Sequence, residues 1–176
     1  MSRKYEVDKI HNIAYIDGQN LYMGTTTSRP AWKVDLFRFR KYLAEKYDIT
    51  EAYYYLGTVN DDLQNMYSDI QKAGFILVFR EHNPAMSSIK KGNVDTDIVF
   101  DCMKALYKKE IKDKIFLVSA DGDYFKLVRF LLAENKLGMV LFPARKKASS
   151  LYRKLEPRYF DALDSPAIRA KIGYKK

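Results

Sequence analysis

The sequence predicts an α/β fold, a three-layer sandwich around a central, mostly parallel five-stranded sheet. Two observations predict it. Short apolar runs alternate with longer amphipathic stretches along the chain, which is typical of proteins that alternate strands and helices. Three of the runs are continuously apolar, as are strands that are buried on both faces of a parallel sheet.

The elements follow from this alternation in chain order. The predicted strands are "IAYI" (13–16), "AYYYLGTV" (52–59), "FILVF" (75–79), "IFLVS" (115–119) and "GMVLF" (138–142). Amphipathic patterns between them predict helices at about 33–47, 61–73, 94–110 and 123–136. The stretch "SSLYRKLEPRYFDAL" is expected to add a helix and a turn on the sheet, and the basic tail "AIRAKIGYKK" is expected to fray.

Length and composition predict one domain over residues 1–176, with its core at about 12–162 and a basic tail at about 166–176. The single cysteine, Cys102, excludes an internal disulfide and a cysteine-based zinc site. The apolar runs are too short to span a membrane, and the polar first residues do not resemble a signal peptide. We therefore expect a cytoplasmic protein.

The chain is strongly basic, with 31 Lys and Arg against 22 Asp and Glu, a net charge of +9 and a pI near 9.4. This balance favours a polyanionic partner, nucleic acid above all, although many basic proteins bind none. The two histidines, His11 and His82, are too few and too far apart in the sequence to suggest zinc or a Ser-His pair.

Acidic residues follow the predicted strands at the edge where a parallel sheet binds its ligands. Asp17 and Asn20 come after the first strand, and Asp121 and Asp123 come after the fourth. The longest loop leads into the helix near residue 94, in which Asp95 shares a face with the apolar residues at about 100° per residue. Four aspartates from three separated segments are therefore expected at one edge.

Each of these aspartates also has a simpler explanation. Asp95 and Asp123 could cap helices, and Asp121 with Gly122 could form a turn. The helical count places Asp97 and Asp101 on a different face of the helix from Asp95. Asp97 is best explained there as part of a solvated flank. Four converging carboxylates, however, would repel one another unless a cation neutralised them.

The chemistry of such a cluster indicates a hard divalent cation. Oxygen ligands without His or Cys suit Mg²⁺ or Mn²⁺. These ions can activate water and neutralise charge on a phosphodiester during its hydrolysis. The residues therefore favour a metal site that acts on the anion attracted by the basic surface.

Three segments, "YIDGQNLY", "KKGNVDTDIVFDCM" and "LVSADGDYFKLV", resemble the motifs of the NYN domain family, the LabA-like branch of the PIN-like nucleases. The family order is D-x-x-N after the first strand, K-G-x-D opening a central helix, and S-x-D-x-D-F after the fourth strand. The matching residues are Asp17, Asn20, Lys91, Gly92, Asp95, Ser119, Asp121 and Asp123, and Asp101 also matches an acidic position. The resemblance covers residues 12 to about 162.

Two departures from the family motifs are visible. Asn93 widens the middle motif to "KGNVD", which makes Asp97 an alternative to Asp95, and Tyr124 precedes the expected Phe125. The resemblance implies a PIN-like fold and metal-dependent cleavage of RNA, sometimes with dimerisation.

On this basis the site residues are assigned roles. The metal ligands, direct or through water, are expected to be Asp17, Asp95, Asp121 and Asp123, one of which could also orient or deprotonate the attacking water. Asn20 would fix the first carboxylate or the scissile phosphate, and Ser119 would brace the acid pair.

Two basic clusters are predicted to contact RNA phosphates, with a solvated charged rim as the alternative. The first lies around the long loop and the second follows the fifth strand: Arg80, His82, Lys90 and Lys91, then Arg145, Lys146 and Lys147. Three aromatic residues could stack on bases, although packing is the more common role: Tyr22, Trp32 and Tyr124.

The predicted function is a Mg²⁺- or Mn²⁺-dependent ribonuclease, an endoribonuclease acting on RNA, with single-stranded DNA as the alternative substrate. The main rival is a nucleic-acid-binding module of the same fold without turnover. A haloacid-dehalogenase-type phosphatase is disfavoured because Asp17 is followed by Gly18-Gln19, without the second Asp it needs. A receiver domain is disfavoured because Arg80-Glu81 stands where its phosphorylated Asp should follow the third strand.

Overall fold

One sheet of six parallel strands runs through the computed structural model, which describes residues 10–80 and 94–174. Its strands are β1 (Asn12–Asp17), β2 (Ile49–Leu56), β3 (Ile76–Phe79), β4 (Ile115–Val118), β5 (Leu137–Phe142) and β6 (Phe160–Ala162). Their order in the sheet is β3-β2-β1-β4-β5-β6, and every neighbouring pair is parallel. The predicted α/β class is confirmed, with six strands in place of five.

Helices flank the sheet on both faces. They are α1 (Gly18–Thr26), α2 (Leu36–Tyr47), α3 (Gln64–Lys72), α4 (Val94–Tyr107), α5 (Phe125–Ala133) and α6 (Pro166–Ile172). Helices α2 to α5 lie where amphipathic patterns predicted them. Helix α1 was not predicted, because its buried positions include Gly18, Gly24 and Thr25, which give little apolar periodicity.

The C-terminal part differs from the prediction of a helix, a turn and a frayed tail. Short 3-10 turns at Ser150–Lys154 and Pro157–Tyr159 lead into β6, which pairs with β5. A strand of three residues is too short to show a hydrophobic period. The tail forms α6, which is held because Ile168 and Ile172 are buried in the core.

The alternating side chains of β1 separate two hydrophobic cores. Ile13 and Tyr15 belong to the core that contains residues of α4 and α5. Ala14 and Ile16 belong to the core that contains residues of α1, α2, α3 and α6. All six residues of β1 are buried, as expected for a central strand covered by helices on both sides. The sheet therefore forms the middle of three layers.

The order of the strands brings the first and third motifs together. From β1 the chain moves outward to β2 and β3, and then crosses to β4 on the other side of β1. Ligands of open parallel sheets bind where the strand order reverses, beyond the carboxyl ends of the two central strands. Asp17 ends β1, and Ser119 directly follows β4, so both motifs begin at this point. No helix within the two described ranges is long and apolar enough to cross a membrane.

Candidate metal centre

Three carboxylates converge at this edge of the sheet. One carboxylate oxygen from each of Asp95, Asp121 and Asp123 lies within 4.8 Å of the other two. Asp95 is buried in the first turn of α4, Asp121 is half-buried, and Asp123 is exposed. The cluster is therefore closed on the protein side and open to solvent at Asp123.

Asp17 lies beside this cluster and is electrostatically coupled to it. Its Oδ1 accepts a hydrogen bond from the backbone N–H of Asn20 (2.9 Å), and its Oδ2 accepts one from the hydroxyl of Tyr124 (3.1 Å). Burial raises the pKa of Asp17, and the charges of Asp95 and Asp121 add to the rise, whereas the two hydrogen bonds lower the pKa. The fourth aspartate thus shares the electrostatic environment of the other three.

Glycine lets the chain turn tightly after Asp17. A Cβ atom at Gly18 would collide with the ring of Tyr54 and the backbone oxygen of Tyr55 on β2. Without that side chain, α1 can begin directly above the sheet, and its N-cap is Asp17. The close approach explains how β1 can end on a buried carboxylate, Asp17, beside the cluster and start α1 at the next residue.

Asn20 and Ser119 hold the backbone around the aspartates. The side-chain oxygen of Asn20 accepts a hydrogen bond from the N–H of Ala120 (2.9 Å), which ties α1 to the turn after β4. The Asn20 side chain therefore contacts the third motif, whereas its backbone contacts Asp17. Ser119 is fully buried, and its Oγ accepts a hydrogen bond from the N–H of Asp121 (3.1 Å).

The local cap in this turn is Asp121 rather than Asp123. Its Oδ1 accepts a hydrogen bond from the N–H of Asp123 (3.0 Å) at the start of the short helical turn Gly122–Tyr124. Asp121 therefore combines the capping explanation with membership of the cluster. The exposed carboxylate of Asp123 caps no helix in the described part of the chain.

Tyr124 was missed by the sequence analysis as part of this site. The residue is fully buried, which is incompatible with stacking on a base. Its hydroxyl donates to Asp17 of the first motif, and it also interacts electrostatically with Asp95 of the middle motif. Burial raises the pKa of Tyr124, and the charges of Asp17 and Asp95 raise it further, so the hydroxyl stays a donor. The signal for this role in the sequence was the position of Tyr124, which directly precedes the expected Phe125 of the third motif.

Tyr152 supports the same turn from the chain that follows β5. Its hydroxyl donates to the backbone oxygen of Asp121 (2.5 Å), and its ring packs on Phe125 and Phe142 with centroids 5.8 and 5.1 Å away. Burial raises the pKa of Tyr152, followed by the charges of Asp121, Asp95 and Asp123. These are the three charges of the cluster. No pattern in the sequence indicated that Tyr152 belongs to the site.

The other two aspartates of α4 lie outside the cluster. Asp95 is on the buried face with Ile98 and Cys102, where the helical count placed it. Asp97 is half-buried and does not join the three carboxylates. Asp101 accepts a hydrogen bond from the hydroxyl of Tyr55 (2.9 Å). The geometry therefore favours Asp95 over Asp97 as the acidic residue of the middle motif.

The basic residues predicted near the site are only partly described. His82, Lys90, Lys91 and Gly92 lie outside the described residues, and Arg80 is half-buried just after β3. Arg145, Lys146 and Lys147 form an exposed 3-10 turn after β5.

Lys147 of that turn lines the same groove as two of the acidic residues. Its Nζ donates to the backbone oxygen of Met23 (3.0 Å) and to the hydroxyl of Thr27. It lines an open groove of about 560 Å³ that Asp121 and Asp123 also line. We call this groove, whose other lining residues include Asn20 and Ser149, the first groove.

The remaining aromatic candidates differ in exposure. Tyr22 is 61% exposed, so its ring is accessible to a ligand. Trp32 is only 7% exposed and packs in the core, with the guanidinium of Arg169 5.5 Å from the centre of its ring. Trp32 is therefore a packing residue.

The donor set fits a hard divalent cation. Asp95, Asp121 and Asp123 offer only oxygen, the preferred ligand of Mg²⁺ and Mn²⁺. Within residues 10–80 and 94–174 they form the one group of three or more His, Cys, Asp or Glu side chains close enough to share an ion. Cys102 is buried in the core, and burial raises the pKa of its thiol to about 12, so it is not a ligand.

Comparison with known proteins identifies a matching family and a similar fold. The family model of the NYN domain matches residues 13–163, which include all three motifs. No curated protein matches the chain. The crystal structure of a protein of unknown function from Vibrio parahaemolyticus is similar to this one, with a TM-score of 0.75 and 21% sequence identity. That match covers 97% of this chain and 100% of the other, and it supports the fold alone.

Proposed function

The chain belongs to the NYN domain family, and from this membership and its aspartate cluster we propose that it is a metal-dependent nuclease that cleaves RNA. NYN domains are generally nucleases that act on nucleic acids and use divalent metals. The observation that carries the proposal is the convergence of three carboxylates from two separated motifs, within 4.8 Å of one another.

In this proposal Asp95, Asp121 and Asp123 hold Mg²⁺ or Mn²⁺, and Asp17 completes the site directly or through water. When bound, such an ion lowers the pKa of water and neutralises charge on the phosphodiester. The side chains around it fix its ligands. Tyr124 orients Asp17, and Ser119 orients the backbone of Asp121. Asn20 ties the first motif to the third, because its side chain accepts a hydrogen bond from the N–H of Ala120.

The substrate is proposed to be RNA cleaved at internal bonds, with single-stranded DNA as the alternative. A net charge of +9 and the position of Lys147 beside the acidic residues support a phosphate-rich ligand. The groove that carries the acidic residues is open, which suits a strand that continues past the site. Membership of the LabA-like branch, a cytoplasmic location, a single-domain chain and dimerisation stay predictions.

The decisive experiment is a cleavage assay with and without Mn²⁺ or Mg²⁺. The substrates are single-stranded RNA, structured RNA and single-stranded DNA. We expect metal-dependent cleavage by the wild type, and a loss on the order of 10³ in Asp123→Asn, which removes a ligand charge but keeps the size of the side chain. The matched control is Asp69→Asn, the same change at an exposed position of α3, which should cleave like the wild type.

Two outcomes would change the proposal. Nucleic-acid binding without cleavage of any substrate would favour the binding module over the nuclease. If Asp97→Asn abolished cleavage while Asp95→Asn did not, the widened "KGNVD" motif would have moved the ligand to Asp97.

A further inference from the structure

A second groove, of about 740 Å³, also opens at Asp123. Lys126, Arg129 and Phe130 line it from α5. Leu151 and Lys154 line it from the 3-10 turn Ser150–Lys154. Gly122, Asp123 and Leu151 line both grooves. The metal centre therefore lies where two open grooves meet.

The lining of the second groove follows from helical spacing. Lys126, Arg129 and Phe130 stand at i, i+3 and i+4 of α5, so they share one exposed face. Leu151 and Lys154 are three residues apart in a 3-10 turn, which also places them on one side. Two short elements thus present a similar combination, a cation next to an apolar side chain.

Among the described residues, the cations of this groove outnumber its carboxylates. Lys126, Arg129 and Lys154 are exposed, and none forms an ion pair with a described carboxylate. Asp123 is the one acidic residue of the described part of the chain that lines the groove. Three cations against one carboxylate suit a phosphate backbone.

Two apolar residues of the groove are accessible to a ligand. Phe130 is 40% exposed and Leu151 is 37% exposed. An aromatic ring on the surface of a basic groove is a stacking platform for an unpaired base, because every base has a π-face. An acidic peptide would use the cations but would leave the ring of Phe130 without a stacking partner. The combination therefore favours a single-stranded nucleic acid.

We propose that the second groove binds the single-stranded segment of the substrate on one side of the cleaved bond, while the first groove holds the segment on the other side. Lys126, Arg129 and Lys154 contact phosphates, and Phe130 stacks on a base. This inference rests on the proposed function, because it takes the metal centre as the place of cleavage. It predicts that a substrate must extend in both directions from the scissile phosphate.

The test measures binding of a fluorescent RNA strand of about 12 nucleotides by anisotropy over a range of salt concentrations. The protein is the full chain with Asp95→Asn, which blocks cleavage without changing either groove. Adding Lys126→Gln, Arg129→Gln and Lys154→Gln should weaken binding at least tenfold. The salt slope should fall by about 2, since each contact to a single strand contributes about 0.7.

Two further variants separate the contributions. Phe130→Ala should weaken binding about fivefold or more, as the loss of one stacked base does, and leave the salt slope unchanged. The charge control is Lys72→Gln, Lys108→Gln and Lys112→Gln, three exposed lysines near the amino ends of β3 and β4. This control removes the same net charge far from the grooves and should change affinity by no more than about twofold, because distant exposed charges are screened.

The results separate this inference from the proposed function. If the wild type cleaved RNA but the groove variants bound it with wild-type affinity and salt slope, the groove inference would be wrong and the nuclease proposal would stand. If no substrate were cleaved but the groove variants lost binding as expected, the groove would stand as a binding site. A poly-glutamate peptide that competed as well as RNA of equal charge would overturn the nucleic-acid assignment.

Discussion

The metal centre and the two grooves beside it are built in opposite ways. In the centre, Asp17 and Asp95 are buried. The hydroxyl of Tyr124 donates to Asp17, and Asn20 ties the first motif to the third through the N–H of Ala120. In the second groove, the cations are exposed on short elements and have no carboxylate partner among the described residues. One region is held rigidly by the fold, and the other is free to adapt to a ligand.

This difference teaches how the two regions should respond to mutation. A charge that is held in place by buried neighbours acts as part of a unit, so the loss of one member should impair the whole site. Exposed cations that contact phosphates act almost independently, and each adds a similar, salt-dependent amount of binding energy. The following predictions test that contrast, starting with the largest effect.

The exposed 3-10 turn Arg145–Lys147, from which Lys147 lines the first groove, tests the adaptable region. Arg145→Gln, Lys146→Gln and Lys147→Gln together should weaken RNA binding on the order of tenfold to a hundredfold at low salt, and flatten the salt dependence, because three phosphate contacts are lost. The measurement is anisotropy with RNA strands of several sequences, all of which should lose affinity to the same extent.

The same triple variant sharpens the comparison through its metal response. The Mn²⁺-induced rise in the melting temperature should be unchanged, since no metal ligand is altered. A loss of metal binding would contradict the separation of the two regions. Wild-type RNA affinity and salt slope would mean that the strand avoids this turn. Lys147→Gln alone controls for the lost bond to the backbone of Met23 at α1.

The hydroxyl of Tyr124 tests the rigid region with the removal of a single atom. Tyr124→Phe keeps the buried ring but removes the hydroxyl that donates to Asp17 and interacts with Asp95. Affinity for Mn²⁺ should fall by about tenfold, as is typical when a group that orients a metal ligand is removed. Isothermal titration of the metal into both proteins measures this difference.

Tyr67→Phe is the matched control for the loss of the Tyr124 hydroxyl. The hydroxyl of Tyr67 accepts a hydrogen bond from the N–H of Asn60 (3.0 Å), and its ring packs on Phe79. Neither partner is one of the four aspartates. Its loss should cost a similar amount of stability but leave Mn²⁺ affinity unchanged. Equal Mn²⁺ affinity of Tyr124→Phe and the wild type would mean that the aspartates bind the metal without help from the Tyr124 hydroxyl.

The same contrast explains how much could be predicted from the sequence. Short apolar runs marked five of the six strands, and the residues after β1 and β4 then had to meet at one edge of a parallel sheet. The hydroxyls of Tyr124 and Tyr152 could not be foreseen, because they reach the site only through tertiary packing. Lys126 and Arg129 were overlooked because cations on an amphipathic helix look like any solvated face.

The smallest effect concerns the stability of the metal-free protein. Burial raises the pKa of Asp17 in the folded state, and the charges of Asp95 and Asp121 add to the rise. The ionised carboxylate therefore opposes folding at neutral pH, and this cost disappears below the ordinary aspartate pKa of about 3.9, where Asp17 is protonated in both states. Asp17→Asn should raise the metal-free melting temperature by about 2 °C at neutral pH.

The dependence on pH and metal decides whether that rise has the proposed cause. The difference between Asp17→Asn and the wild type should shrink as the pH falls and vanish below about pH 4, because the wild-type carboxyl then becomes neutral as well. Saturating Mn²⁺ should reverse the order, since the ion stabilises the wild type more. Asp69→Asn, exposed on α3, should show neither trend. If Asp17→Asn were less stable than the wild type at neutral pH without metal, the hydrogen bonds from Asn20 and Tyr124 would outweigh burial. Asp17 would then act mainly as the cap of α1, and the rigid region would be stable without a cation.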